Sequence, residues 1–370
     1  MILLNDFQRQ WDDIRAEVLA AVETVGSSGW YILGSEVAAF EKALAERWGL
    51  GHSVGVASGL DAIELSLKAL GCGAGDAVLT TPLSAFATTL AIVKLGAIPV
   101  FADCDQYGLI DLDQCREILR TRADIRFFVP VHLYGQSLDL AALRSLRDEF
   151  DLRIVEDCAQ SILATSGGLA TGSVGQMAAT SFYPTKNLGA FGDGGAILTG
   201  DEALAARVRC LRDYGQSSKY HHSEIGYNSR LDELQAALLR RVQLPRLTGW
   251  TEQRRLVAGR YNAGIRNAAI RPMGSPRDSN SCWHLYPVMV EAERKRDFLS
   301  WLKSQGVGAG EHYPIVMPDQ NAMKSAAHQV IGECARARKI ALGEVSLPIH
   351  PYLTEEEIGR VIEVSNRWGG

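Results

Sequence analysis

From Glu36 to Phe182 short apolar runs alternate with stretches of helical period, the pattern of a parallel α/β sheet covered by helices on both faces. A helix over EVAAFEKALAERW precedes strand SVGVA, helix LDAIELSLKAL, strand AVLTT and helix SAFATTLAIVKLG. Strand IPVFAD, helix DLDQCREILR, strand IRFFVPV, helix LDLAALRSLRDEF and strand LRIVED continue the series. Helical period returns from Leu231 to about Asn262, and a Gly, Pro, Ser and Asn cluster at Met273 to Ser281 marks a linker or domain edge. Beyond it, strand CWHLYPVMV and helices ERKRDFLSWLKSQG and TEEEIGRVIEVSNRW predict a smaller α+β unit. The division expected is a large domain with an N-terminal arm over 1–250 and a small domain over 251–370, in keeping with roughly 100–200 residues per domain.

Composition narrows the function classes. Hydrophobic residues make up 46% and charged residues 22%, as in folded globular chains. The 38 Lys and Arg against 43 Asp and Glu leave a net charge of −5, so no field attracts a polyanion and nucleic acid is not an expected partner. The seven cysteines form no C-x-x-C pair, which argues against a zinc ribbon, an iron–sulfur run or a disulfide framework and fits a reducing cytoplasm. MILLNDFQRQWDDI meets acidic residues after four apolar ones and lacks a basic start, so no export signal is expected. Ala77 to Phe101 carries only Lys94 as a charge, but Pro82, Pro99 and its threonines point to a buried strand, helix and strand rather than a membrane span.

The chemistry concentrates at two strand ends, IVEDCAQ and TSFYPTKNLGAFGDGG, which place Asp157 and Lys186 at the mouth where open α/β sheets bind ligands. A pyridoxal phosphate enzyme needs a lysine amine for a Schiff base and a carboxylate to keep the pyridine nitrogen protonated. Read singly, Asp157 also suits a helix N-cap and Lys186 a solvated loop lysine. ASGLDAIELSL supplies a phosphate site, with Ser58 and Gly59 at a strand end before a helix whose first amides face the anion. Ser181, on the strand leading to Lys186, is placed to reach the same phosphate. GCGAGD follows a helix and precedes a strand, so it reads as a helix C-cap and turn rather than a dinucleotide loop, and no P-loop motif is present.

With these residues placed, the chain resembles the DegT/DnrJ/StrS family of sugar aminotransferases, through WYILGSEVAAFE, GVASGLDAIELSL, TPLSAFATT, PVHLYGQ, IVEDCAQS, SFYPTKNLGAFGDGG, IGYNSRLDELQAALL and HYPIVMP in family order. The resemblance implies the type I aminotransferase fold, with a mostly parallel seven-stranded sheet in the large domain. It also implies that Lys186 carries the cofactor, that Asp157 meets the pyridine nitrogen and that Gln160 lies near the ring hydroxyl. Phe86 resembles the aromatic that stacks on the ring, although a lone aromatic there also suits the core. Ser58, Gly59 and Ser181 resemble phosphate ligands, and Asn228 the asparagine that reaches the phosphate from the neighbouring subunit, which implies a homodimer with shared sites. Tyr31, Tyr183, Lys219, His312 and Tyr313 resemble residues facing the sugar nucleotide, and His132 is read as structural. Leu60 stands where many members carry threonine, so it offers the phosphate only its N–H.

The reaction implied is transfer of an amino group from L-glutamate to a nucleotide-linked keto-sugar in deoxyamino-sugar biosynthesis, of the kind that supplies lipopolysaccharide O-antigens. The segment after Lys186 and the run Asn228 to Asp232 resemble 3-aminotransferases, so C-3 of a dTDP-3-keto-6-deoxyhexose is expected, with C-4 amination as the alternative. Lys186 argues against the related dehydratases, which carry histidine there. A non-catalytic regulator that senses the cofactor or the sugar nucleotide is the reading from another class.

Overall fold

The computed structural model describes residues 1–369. Seven strands build the main sheet: β1 (His52–Val56), β2 (Ala77–Thr80), β3 (Ile98–Phe101), β4 (Ile125–Val129), β5 (Arg153–Asp157), β6 (Met177–Ser181) and β7 (Gly195–Thr199). Their order across the sheet is β1-β7-β6-β5-β4-β2-β3, and β7 runs antiparallel to both of its neighbours while the other pairings are parallel. An eighth strand of two residues, Gln329–Val330, pairs in parallel with β3 at the edge. The sequence pattern could not show it, because two residues carry no periodicity.

β2 and β7 are buried along their whole length and each of the other five strands at all but one position, as expected where helices cover both faces. Helices Gly59–Ala69 and Phe86–Lys94 and cluster residues Val54, Ile63 and Val208 pack one face. Leu79, Phe128, Ile154 and Leu143 pack the other. Asp111, Asp139 and Asp201 cap their helices by accepting backbone N–H groups two and three residues on, so each helix starts where a capping side chain follows a strand. Gly71 and Gly75 both take positive φ, which makes GCGAGD the C-cap and turn that its position indicated.

A second sheet, Arg271–Pro272, Tyr286–Met289 and Glu344–Leu347, is antiparallel throughout. With helices Lys295–Ser304 and Glu355–Arg367 it encloses its own core of Tyr261, Tyr286, Phe298 and Trp368. The expected boundary after residue 250 falls inside the helix Leu244–Gly264. The Met273 to Ser281 segment is not a free linker: Ser279–Asn280 pairs with Thr165–Ser166 beside the main sheet. The N-terminus holds a 22-residue helix, Phe7–Ser28, and Ile2 bridges to Val307 in the second unit. Among the described residues no helix is long and apolar enough to cross a membrane.

Candidate active site

The C-terminal ends of β1, β5 and β6 converge on a cavity of about 520 Å³, closed from the opposite side by His284, His312 and Tyr313 and from the N-terminus by Leu4 and Asn5. Its size suits a cofactor or small ligand. A groove of about 1270 Å³ around Arg271, Met289 and Leu342 is larger, but it lies away from these strand ends.

Asp157, at the end of β5, is 4% exposed. Its Oδ2 accepts from the Thr88 hydroxyl at 2.8 Å and its Oδ1 from the Ala159 N–H at 3.0 Å; Ser84 Oγ is 2.9 Å from the same Thr88 hydroxyl. Burial raises the Asp157 pKa, while these donors and the nearby Lys186 charge oppose the rise. Lys186 is half-buried and lines the cavity. Burial lowers its pKa to about 8, against the pull of Asp157. Half-burial in the cavity that Asp157 also lines sets it apart from a solvated loop lysine.

A set of unfilled donors lies across the cavity. Ser58 caps helix Gly59–Ala69, its Oγ accepting from the Asp61 N–H at 3.1 Å. The Gly59 and Leu60 N–H groups and the Ser58 and Ser181 hydroxyl protons have no acceptor among the described residues. These four donors line one wall, where an anion would complete them. A Cβ on Gly59 would stand 2.6 Å from Ser181 Cβ, so only glycine lets the two phosphate-side elements meet. A half-buried lysine, a buried carboxylate and an unfilled set of donors match the attachment, ring nitrogen and phosphate of pyridoxal phosphate.

Of the other expected residues, Tyr183, His312 and Tyr313 line the cavity. Gln160 sits just behind it, its Oε1 accepting from the Tyr134 N–H at 2.7 Å and its Nε2 donating to the Tyr313 hydroxyl at 3.2 Å. Phe86 is half-buried and packs on the core beside the sheet, while its neighbours Ala85 and Ala87 form the wall. Tyr31, Lys219 and Asn228 do not line the cavity of their own chain, and all three are exposed. Asn228 Oδ1 accepts from Arg230 at 2.7 Å.

Sequence reasoning passed over Thr88, His284 and Asn187. The His284 ring lies 3.2 Å from Asn187 Oδ1, and burial lowers its pKa. Thr88 lies 69 residues from Asp157, so no local spacing could have joined them. His132 is structural, as read: its Nδ1 accepts from the Leu138 N–H at 3.2 Å and its Nε2 meets Glu156 Oε2 at 2.8 Å. The buried cluster of His132, Glu156 and Cys158 has metal-ligand residue types. However, Glu156 is already engaged by the Gly172, Val174 and Gly175 amides.

Comparison with known proteins agrees with this geometry. A family model described as the DegT/DnrJ/EryC1/StrS aminotransferase family matches residues 12–365. The chain is 40% identical to a Streptomyces venezuelae protein named dTDP-3-amino-3,4,6-trideoxy-alpha-D-glucose transaminase, covering 98% of this chain and 95% of that protein. It is 37% identical to a Geobacillus stearothermophilus protein named pleiotropic regulatory protein, covering 97% and 96%. The crystal structure of S. venezuelae DesV in complex with ketimine intermediate superposes with a TM-score of 0.94 at 39% identity, covering 100% of this chain and 98% of that one. With its lysine, carboxylate and unfilled donors on this fold, the chain belongs to the DegT/DnrJ/EryC1/StrS aminotransferase family and is a pyridoxal-phosphate-dependent enzyme acting on nucleotide sugars.

Proposed function

We propose that the protein transfers an amino group from L-glutamate to C-3 of a dTDP-3-keto-6-deoxyhexose. The observation that carries the reading is the pairing of Lys186 and Asp157 in one cavity beside four unfilled phosphate donors. Bound pyridoxal phosphate supplies an aldehyde carbon for attachment and a ring that accepts electron density from the substrate carbon. Lys186 Nζ would hold the cofactor and, as a free amine, would move the proton at the substrate carbon; a pKa of about 8 suits that exchange near neutral pH. Asp157 would meet the ring nitrogen and Gln160 the ring hydroxyl. Ser58, Gly59 and Ser181 would hold the phosphate, and Phe86, packed on the core between the wall residues Ala85 and Ala87, would support the ring side of the cavity.

Tyr183, His312 and Tyr313 face the sugar nucleotide. Tyr31, Lys219 and Asn228 serve the site of the second copy in a homodimer. Their exposure supports this, as does the flank around them, where Tyr220 is 81% and Ile225 86% exposed. C-3 amination is supported by the name of the S. venezuelae relative and by Ser229. That residue is 1% exposed and joins two elements of the phosphate side, accepting from the Ala57 N–H at 3.1 Å and donating to Asp61 Oδ2 at 2.6 Å. An aromatic side chain there would break both bonds. Seven free cysteines support a reducing cytoplasm. A regulatory role, which the name of the Geobacillus relative carries, gives the Lys186–Asp157 pair nothing to do.

The test is incubation with glutamate and matched 3-keto and 4-keto sugars linked to dTDP, UDP and GDP, with product masses and proton couplings read out. Amination at C-3 of the dTDP compound is expected. A clear preference for a 4-keto sugar or for another nucleotide overturns the reading.

A further inference from the structure

Behind His312 stand two buried residues of the second sheet. Glu344 and Ser346 are both 0% exposed and lie two apart on the strand Glu344–Leu347, so they share a face. Gly310 and Ser346 exchange backbone hydrogen bonds of 3.1 and 2.8 Å, which fixes the register that brings His312 to them. The Ser346 hydroxyl donates to Glu344 Oε1 at 2.5 Å, and the His312 backbone N–H donates to Glu344 Oε2 at 2.6 Å. His312 Nδ1 lies 2.9 Å from Ser346 Oγ.

A hydroxyl has one proton to give. With that proton on Glu344, Ser346 Oγ can only accept from the ring, so Nδ1 carries the hydrogen. Nε2 has no protein partner among the described residues, and the ring lines the cavity. We propose that Glu344 and Ser346 are positioning residues that set the tautomer of His312, presenting Nε2 to the bound sugar as a hydrogen-bond acceptor and converting it to a donor when Glu344 takes up a proton.

In the conversion the Nδ1 hydrogen passes to Ser346, the serine hydrogen passes to Glu344, and Nε2 takes one proton from water in the cavity. A protonated Glu344 donates to Ser346 Oγ, Ser346 donates to Nδ1, and the hydrogen of the ring resides on Nε2. Burial raises Glu344 to about 7 and lowers His312 to about 4, so near neutral pH the ring is uncharged and the carboxyl is the group that titrates. Lys295 and Glu311 act on Glu344, and Lys186, Glu311 and His284 act on His312. Lys295 Nζ is itself engaged with Glu311 at 2.6 Å. Tyr134 and Tyr313, which also face Glu344, are pushed above their ordinary values and stay protonated. Lys186, which would hold the cofactor in the holoenzyme, is retained in every variant below, so its contribution is common to all.

The tautomer is read by two-bond proton–nitrogen correlation on full-length holoenzyme labelled with 15N-histidine, with the His312 signals assigned by His312→Gln. Wild type should show Nδ1–H at about pH 9 and shift toward Nε2–H by about pH 6. In Glu344→Gln the backbone N–H of His312 requires the amide oxygen, so the amide NH₂ faces Ser346 and Nε2–H should persist at both pH values. Ser346→Ala should remove the pH dependence. The inference as to the sugar rests on the proposed function, and there Glu344→Gln should lower kcat/KM for the keto-sugar ~10-fold or more while leaving the glutamate half-reaction unchanged. The same tautomer in wild type and Glu344→Gln, or an unaltered pH response in Ser346→Ala, overturns the relay. A tautomer that switches in an enzyme turning over no nucleotide sugar leaves the relay standing and sinks the proposed function instead.

Discussion

Lys186 should cost the cofactor-free protein stability, and the cost can be worked from its surroundings. Burial takes its pKa from 10.5 to about 8, and at 1.36 kcal/mol per unit the penalty is about 3 kcal/mol. Water admitted by the cavity relieves part of this, leaving ~2–3 kcal/mol. A base whose pKa is lower in the folded chain binds its proton less tightly there. The penalty is therefore complete below about pH 8, shrinks as pH rises and vanishes above the unfolded value of 10.5. Lys186→Met keeps the length of the side chain and removes the charge. Denaturant unfolding of the cofactor-free proteins at one fixed concentration, followed by the fluorescence of the seven tryptophans, should find the variant more stable by ~2–3 kcal/mol at neutral pH. The gain should fall below ~1 kcal/mol at about pH 10.5. Equal stability at neutral pH, or a gain that does not decline with pH, would refute the claim that a buried ammonium is held there at a cost.

Gly59→Ala puts a methyl 2.6 Å from Ser181 Cβ and should weaken retention of pyridoxal phosphate by ~10-fold or more, measured as cofactor released on dialysis. Asp157→Ala should keep part of the cofactor but lose most turnover, which paired absorbance and activity measurements would check. His132→Ala removes a partner of the buried Glu156 and leaves a cavity, at an expected cost of about 2–3 kcal/mol in unfolding free energy, with three backbone amides still holding the carboxylate. Co-assembled Lys186→Ala and Asn228→Asp chains should regain activity that neither homodimer has; verified heterodimers without it would exclude a site shared between subunits.

Much of the sheet was legible along the chain because its strands are continuous apolar runs and its helices carry caps such as Asp111 and Asp139 just before an apolar period. Lys186, Asp157 and the Ser58–Gly59 turn stood out for a related reason: each lies at or just beyond a strand end, where a parallel sheet gathers its functional side chains on one edge. Backbone periodicity and local chemistry were enough for that much. What the sequence could not carry was which strand edges and side chains pair away from those strand ends. The antiparallel β7, the added strand Gln329–Val330 and the pairing of Ser279–Asn280 with Thr165–Ser166 depend on which edges are left open once the sheet has assembled. Thr88 under Asp157, Gln160 between Tyr134 and Tyr313, and Glu344 and Ser346 behind His312 depend on register across elements. A hydroxyl or carboxylate in a sequence declares its chemistry but not its partner, since hydrogen bonds and pKa values are set by neighbours within a few ångströms, and those neighbours are chosen only when the chain folds.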